Sequence, residues 1–196
     1  MNQWWQMWGG YFSPDDCKKI IDTGLQRAPV EGTIGHGGGK SKVDDDFRRS
    51  TIRWLDRRDD DVQWIMRRME HAFQFANSKA FQFDLSYFKD VQFTEYNADS
   101  EGKYDWHEDL TWAQNSPTRR KLSFCCQLSS PEDYAGGDLE VEERAVGGED
   151  QVPDAKKLKT QGTVLIFPSF LRHRVLPVTQ GIRYSLVSWY EGPTFR

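Results

Sequence analysis

The run Tyr104-Asp105-Trp106-His107-Glu108-Asp109, answered far along the chain by His173 and then by Arg183, gathers the residue types best suited to chemistry. His107 and Asp109 are two apart, so on a strand both would project from one face and Glu108 from the other. Two such donors hold a metal weakly, and a closed four-ligand set would shut out substrate. A third ligand from a distant segment fits better, and His173, 64 residues after Asp109 (173 − 109), is the candidate. Two imidazoles and a carboxylate on one side of a metal leave the opposite positions open, an arrangement suited to non-heme Fe(II) oxygenase chemistry.

Arg183, Ser185, Val187 and Trp189 share strand parity, so Arg183 can face the same interior as the metal. A guanidinium buried there requires an anion, and a dicarboxylate could pair with it at one end while chelating the metal at the other. The competing readings are a structural ion pair for Arg183 and a surface histidine beside a solvated aspartate for His107 and Asp109. His36 and His71 have no carboxylate at ligand spacing and read as surface or satisfied polar groups.

The elements that must position these groups can be read from periodicity. Ser13-Pro14-Asp15-Asp16 is a helix start, and Cys17, Ile20, Ile21, Leu25 and Ala28 follow at helical spacing, predicting a helix over 14–27. Asp59-Asp60-Asp61 opens a second helix with an apolar stripe of Val62, Ile65, Met66, Met69, Phe73 and Ala76. From Phe81 onward the period becomes two. Phe81, Phe83 and Leu85 alternate, then Val91, Phe93 and Glu95, then Leu122, Phe124, Cys126 and Leu128, then Leu139 and Val141, and finally Ile182, Tyr184 and Leu186. Turn residues at 97–99, 130–133, 135–138 and 179–181 separate these runs. A mainly β fold with packed helices follows, an antiparallel sandwich or jelly roll rather than a wound α/β sheet. The stretch Gly32 to Lys40 reads as a loop, a lid over substrate together with Val43-Asp44-Asp45-Asp46, and not as a phosphate cradle. Residues 144–160 read as irregular.

At 196 residues, the chain is expected to be one domain, 1–196, with its helical part at about 13–78 packed on the β core. Hydrophobic residues make up 37% and charged residues 29%, which excludes a wholly disordered chain. There is no apolar run of about 20 residues and no secretion-type start, so no membrane partner and a soluble cytoplasmic location are expected. Cys17, Cys125 and Cys126 read as reduced thiols. The net charge of −4 argues against nucleic acid as a partner. Arg48-Arg49, Arg57-Arg58, Arg67-Arg68 and Arg119-Arg120-Lys121 read as solvated surface. Nothing in the sequence sets the oligomeric state.

From about Ser13 to Trp189 the chain resembles the prolyl 4-hydroxylase branch of the 2-oxoglutarate- and Fe(II)-dependent oxygenases. The resemblance is carried by Phe47-Arg48-Arg49-Ser50, Tyr96, the run Tyr104 to Asp109, Lys121-Leu122-Ser123-Phe124, Tyr134-Ala135-Gly136-Gly137-Asp138-Leu139-Glu140, Phe167-Pro168-Ser169, His173 to Val178 and Gly181 to Val187. It implies a double-stranded β-helix in which His107, Asp109 and His173 hold Fe(II). It also implies that 2-oxoglutarate chelates the metal through its 2-oxo acid end while Arg183 binds the distal carboxylate. Arginine stands here where some prolyl 4-hydroxylases carry lysine, which keeps the charge but changes the hydrogen-bond geometry. Tyr96, 11 residues before the first ligand (107 − 96), resembles a tyrosine that helps hold 2-oxoglutarate. Tyr104 and Trp189 match positions of the substrate pocket, with plain core packing as the alternative for each.

The activity implied is procollagen-proline 4-dioxygenase-like: O2-dependent hydroxylation of a prolyl residue in a peptide or protein, with succinate and CO2 as co-products and ascorbate as an accessory. No catalytic protein acid or base is needed beyond the metal ligands. A hydroxylase of a free amino acid or other small molecule, and a noncatalytic metal- or carbohydrate-binding jelly roll, are the alternatives.

Overall fold

A computed structural model describes residues 4–33, 43–88, 91–110, 117–142 and 152–195. In chain order the elements are β1 (Gln6–Trp8), α1 (Pro14–Leu25), β2 (Val30–Glu31), β3 (Arg48–Arg49), β4 (Thr51–Leu55), α2 (Gln63–Ala76), β5 (Tyr87–Phe88), β6 (Val91–Asn97), β7 (Lys103–His107), β8 (Thr118–Gln127), β9 (Tyr134–Gly136), β10 (Leu139–Val141), α3 (Ala155–Lys159), β11 (Val164–Pro168), β12 (His173–Val175) and β13 (Val178–Pro193). The larger sheet runs β1-β11-β8-β13-β6-β4-β2, with β5 and β9 added against β13, and the smaller runs β10-β12-β7-β3. Every pairing among them is antiparallel. The architecture is the expected double-stranded β-helix with helices packed on it.

Helix α1 begins as its sequence dictates. The Ser13 hydroxyl accepts the Asp16 amide at 3.1 Å and the Asp16 carboxylate accepts the Ser13 amide at 3.1 Å, so two otherwise orphaned donors are satisfied together. The helix closes at Leu25, two residues short of the predicted end, where the Gln26 amide bonds back to Thr23 and Gly24. Helix α2 follows a short 3-10 turn, Asp60–Val62, and buries Ile65, Met66, Met69, Ala72, Phe73 and Ala76. These side chains form one core with Phe93 of β6, Leu122, Phe124 and Cys126 of β8, and Leu186 of β13.

The alternation along each strand divides the larger sheet into two faces. On β8, Leu122, Phe124 and Cys126 go to the helices, while Cys125 faces a cavity between the sheets. On β6, Val91 and Phe93 go to the helices and Gln92 and Tyr96 face that cavity. A site is therefore built on the inner face while the outer face supplies the apolar burial that holds it.

Two local expectations fail. The alternating Phe81, Phe83 and Leu85 do not form a strand: α2 runs on into a π-helical turn, Asn77–Phe81, and Gln82 adopts a left-handed φ of 55°. The Asn77 side chain takes both backbone groups of Phe83, at 2.8 and 2.9 Å, and the rings of Phe81 and Phe83 stack instead of alternating. Within 144–160, predicted irregular, α3 forms because the Asp154 carboxylate caps the amides of Lys156 and Lys157. Residues 34–42, including His36 and most of the glycine-rich stretch, and residues 143–151 lie outside the described residues. Among the described residues no helix is long and apolar enough to cross a membrane.

Gly24 shows how closely α1 meets the sheet, since a Cβ there would lie 2.6 Å from the Phe93 ring, itself stacked on Tyr184. Glycine to alanine inside a helix ordinarily stabilises by about 1 kcal/mol. Here overpacking outweighs that gain: Gly24→Ala is expected to lower the unfolding free energy by about 1–3 kcal/mol in urea titrations, and a more stable variant would refute the packing described.

Candidate metal centre

Strands β7 and β12 pair so that His107 stands opposite His173, with ring centroids 4.2 Å apart. Each ring is aimed by its own backbone: the Nδ1 of His107 lies 2.7 Å from the Asp105 carbonyl and that of His173 lies 3.0 Å from the Leu171 carbonyl. A carbonyl can only accept, so each Nδ1 carries a proton and each Nε2 is the nitrogen turned toward the ligand position, the usual way a protein orients histidine ligands. Asp109 is not on the strand as parity suggested. It lies two residues past the end of β7, held because the amides of Asp109 and Leu110 donate to the Ser169 carbonyl at 3.0 and 2.9 Å. Ser123 on β8 then donates its hydroxyl to Asp109 Oδ2 at 2.6 Å.

The result is a compact donor set. His107 Nε2 is 3.9 Å from Asp109 Oδ1, His173 Nε2 is 3.5 Å from Asp109 Oδ2, and one ligand atom from each residue lies within 4.8 Å of the others. Burial, and then the neighbouring His173, push the His107 pKa well below its ordinary 6.5, which leaves the imidazole neutral. Burial alone would raise Asp109, but His173, His107, Arg120 and the Ser123 hydroxyl outweigh it, and its carboxyl stays ionised. Two imidazoles and one carboxylate fit a divalent first-row metal such as iron(II).

Across a cavity of about 370 Å³ from these ligands lies Arg183. It is buried, its Nε donates to Gln127 Oε1 at 2.9 Å, and its Nη1 is buried with no acceptor. Among the described residues no carboxylate pairs with it. A buried guanidinium left in this state is destabilised by about 1–3 kcal/mol per unmet donor, which an anionic ligand would relieve. Tyr96 is its partner in the β6–β13 register, with the guanidinium carbon 5.5 Å from the ring, and burial raises the Tyr96 hydroxyl so that it remains a neutral donor. Gly137, at φ +61°, makes this approach possible, because a Cβ there would come within 3.0 Å of Arg183 Cδ. Ser185, Val187 and Trp189 line the same cavity, as their shared parity with Arg183 predicts.

Tyr104 stacks on His107 with centroids 3.5 Å apart, and burial pushes its hydroxyl up to about 12. Trp189 is buried on β13 of the larger sheet. Two arginines that read as solvated surface belong here instead. Arg48 is only 6% exposed, bonded to Ser50 Oγ at 2.8 Å and the Thr33 carbonyl at 3.0 Å, with its guanidinium carbon 4.4 Å from the centre of the Tyr104 ring. Gly32 leaves room for it, since a Cβ there would strike the Arg48 and Ser50 side chains.

Arg120 lies 3.7 Å over the Trp189 ring and 4.0 Å from Asp109 Oδ1. Simple alternation from Ser123 would turn it outward. However, Tyr190 pairs with Leu122 and Glu191 with Arg120, so Lys121 is an extra residue in β8 and the bulge turns Arg120 inward. No sequence signal marks that slip.

Two expected outcomes test this geometry. Ser123→Ala removes the bond that orients Asp109, and metal titration should show affinity reduced about 10- to 100-fold; unchanged affinity would contradict its role. In chelator, the depressed pKa of His107 means the unfolded chain binds the extra proton, so stability falls as pH drops below about 6.5, by up to about 1.4 kcal/mol per pH unit. His107→Gln should flatten that slope between about pH 6.5 and 5, and an unaltered slope would assign the proton elsewhere.

The geometry agrees with known proteins. Residues 91–191 match the family model described as the 2OG-Fe(II) oxygenase superfamily. A PKHD-type hydroxylase of Synechococcus sp. (strain CC9605) is 40% identical over 89 residues, 45% of this chain and 36% of the relative, so the match spans about a third of that protein's length. Among solved structures, a Pseudomonas putida prolyl-4-hydroxylase superposes with a TM-score of 0.71 at 19% identity, covering 98% of this chain and 94% of that one. A Trichoplax adhaerens prolyl hydroxylase, solved with a hypoxia inducible factor peptide fragment, gives 0.72 at 15% identity over 96% and 83% of the two chains. These structural likenesses show a shared fold, and with the sequence match over 91–191 the chain belongs to the 2OG-Fe(II) oxygenase superfamily.

Proposed function

We propose that the protein is a 2-oxoglutarate- and Fe(II)-dependent dioxygenase that hydroxylates a prolyl residue of a peptide or protein, with succinate and CO2 as co-products. The observation that carries this reading is the buried Nη1 of Arg183, without an acceptor, across one cavity from a His-Asp-His donor set. Iron(II) with 2-oxoglutarate and O2 supplies oxidative decarboxylation and the power to hydroxylate an unactivated C–H bond. His107, Asp109 and His173 would hold the metal, and the Ser123 hydroxyl and the two backbone carbonyls would fix their orientation. Arg183 would take the distal carboxylate in a charge-assisted pair, with Tyr96 beside it. Tyr104 and Trp189 would wall the substrate side and exclude water. The prolyl part rests on the resemblance of the sequence and on structural neighbours that are prolyl hydroxylases.

The test is turnover with Fe(II), 2-oxoglutarate, O2 and ascorbate against proline-containing peptides, free proline and other amino acids, reading succinate and the mass of the product. Peptide-dependent succinate with one oxygen added at proline is expected. Oxygen added to another residue or to a free amino acid would remove the prolyl assignment and leave the oxygenase one. Absence of metal-dependent succinate with every substrate, together with no binding of 2-oxoglutarate, would favour a binding jelly roll. His107→Ala and His173→Ala should abolish turnover. Arg183→Ala should raise the half-saturating 2-oxoglutarate concentration by about 30-fold or more, the scale of losing one partner of a buried charged pair.

A further inference from the structure

The proposed use of the cavity employs one of its cations, Arg183. Among the described residues Arg48, Arg119, Arg120 and Arg183 line it, against Asp109 and Glu191 of opposite sign. A divalent metal and a doubly charged 2-oxoglutarate add equal and opposite charges, so the described lining of the loaded cavity keeps an excess of two positive charges in a chain whose net charge is −4. Arg183 is matched by the co-substrate. The excess therefore sits with the arginines on the ligand side.

We infer that Arg48 and Arg120 form a second anion subsite, separate from Arg183, which receives a carboxylate of the substrate. Arg48 uses Nε and Nη1 on Ser50 and Thr33, and its Nη2 has no acceptor among the described residues. Arg120 makes no hydrogen bond among the described residues, and its nearest carboxylate oxygen, Asp109 Oδ1 at 4.0 Å, belongs to a residue directed at the metal position. Each guanidinium is already ordered, Arg48 by its two bonds and the Tyr104 ring and Arg120 by the Trp189 ring. A carboxylate would thus meet pre-aligned donors and lose little further freedom on binding. The Trp189 Nε1, buried without an acceptor beside Arg120, adds a further donor at the same wall. The carboxylate has two sources: an acidic side chain flanking the target residue in a peptide, or the α-carboxylate of a free amino acid.

This inference rests on the oxygenase reading of the cavity, and the test separates the two. Protein loaded with Mn(II) and 2-oxoglutarate without O2 is titrated with a capped proline peptide bearing flanking aspartates, its asparagine counterpart, free L-proline and L-prolinamide. One charged ligand should bind about tenfold tighter than its neutral counterpart, and which pair responds identifies the source. The preference should weaken between about 0.05 and 0.5 M NaCl, a readout that needs no variant. Arg48→Gln and Arg120→Gln should each cut the preference to about twofold while changing 2-oxoglutarate affinity by less than about threefold. Equal binding of charged and neutral ligands, no binding of any of the four, or a preference that survives both substitutions would overturn the subsite. A loss of 2-oxoglutarate affinity in these variants as large as the loss for the carboxylate ligand would assign the pair to the co-substrate and overturn it too. If neither Mn(II) nor 2-oxoglutarate binds the unaltered protein, the oxygenase reading fails and this inference falls with it.

Discussion

The antiparallel pairing of β7 with β12 sets His107 opposite His173, and the chemistry of the molecule depends on that register. A slip of one residue would turn one imidazole to the other face of the sheet and separate the donors beyond the reach of one metal ion. Backbone carbonyls at Asp105 and Leu171 then fix the tautomer of each ring, so the strand pair both places and primes the two nitrogens. Asp109 is attached to this frame through Ser123 on β8 of the larger sheet and Ser169 just past the end of β11. The donor set is therefore a bridge between the two sheets.

Keeping charged groups in such an interior is unfavourable unless each finds a partner, and that requirement explains the layout of the cavity. The helices cover the outer face of the larger sheet with Ile65, Met69 and Phe73, while the inner face carries Gln92, Tyr96, Ser123, Arg183 and Ser185. Apolar burial on one face stabilises a polar face whose own groups are incompletely satisfied. Arg183 and Trp189 keep buried donors without acceptors, and both line the space between the sheets. Unmet donors gathered beside a metal-ligating set belong to a site that is completed by its ligands.

Much of this was legible in the sequence where a single strand or helix sufficed. The Ser13 to Asp16 capping box, the stripe of α2 and the common face of Arg183, Ser185, Val187 and Trp189 all follow from local periodicity. What could not be read depends on other segments. Asp109 has the right spacing for one strand, yet it stands beyond the end of β7 because tertiary bonds to Ser169 hold it there. Arg120 faces inward only because Lys121 is an extra residue against β13, and Arg48 fits only because Gly32 lacks a side chain. Alternating apolar residues at 81–85 suggested a strand, but the Asn77 side chain holds both backbone groups of Phe83.

The central claim is that metal ligands and Arg183 hold opposite ends of one diacid, so binding of the metal and of 2-oxoglutarate must be thermodynamically coupled. Equilibrium titration of 2-oxoglutarate without O2, in the presence of Mn(II) and in chelator, measures this directly. The account predicts that the metal tightens 2-oxoglutarate binding at least about tenfold, with 2-oxoglutarate tightening the metal by the same factor. Equal affinity with and without the metal would contradict it.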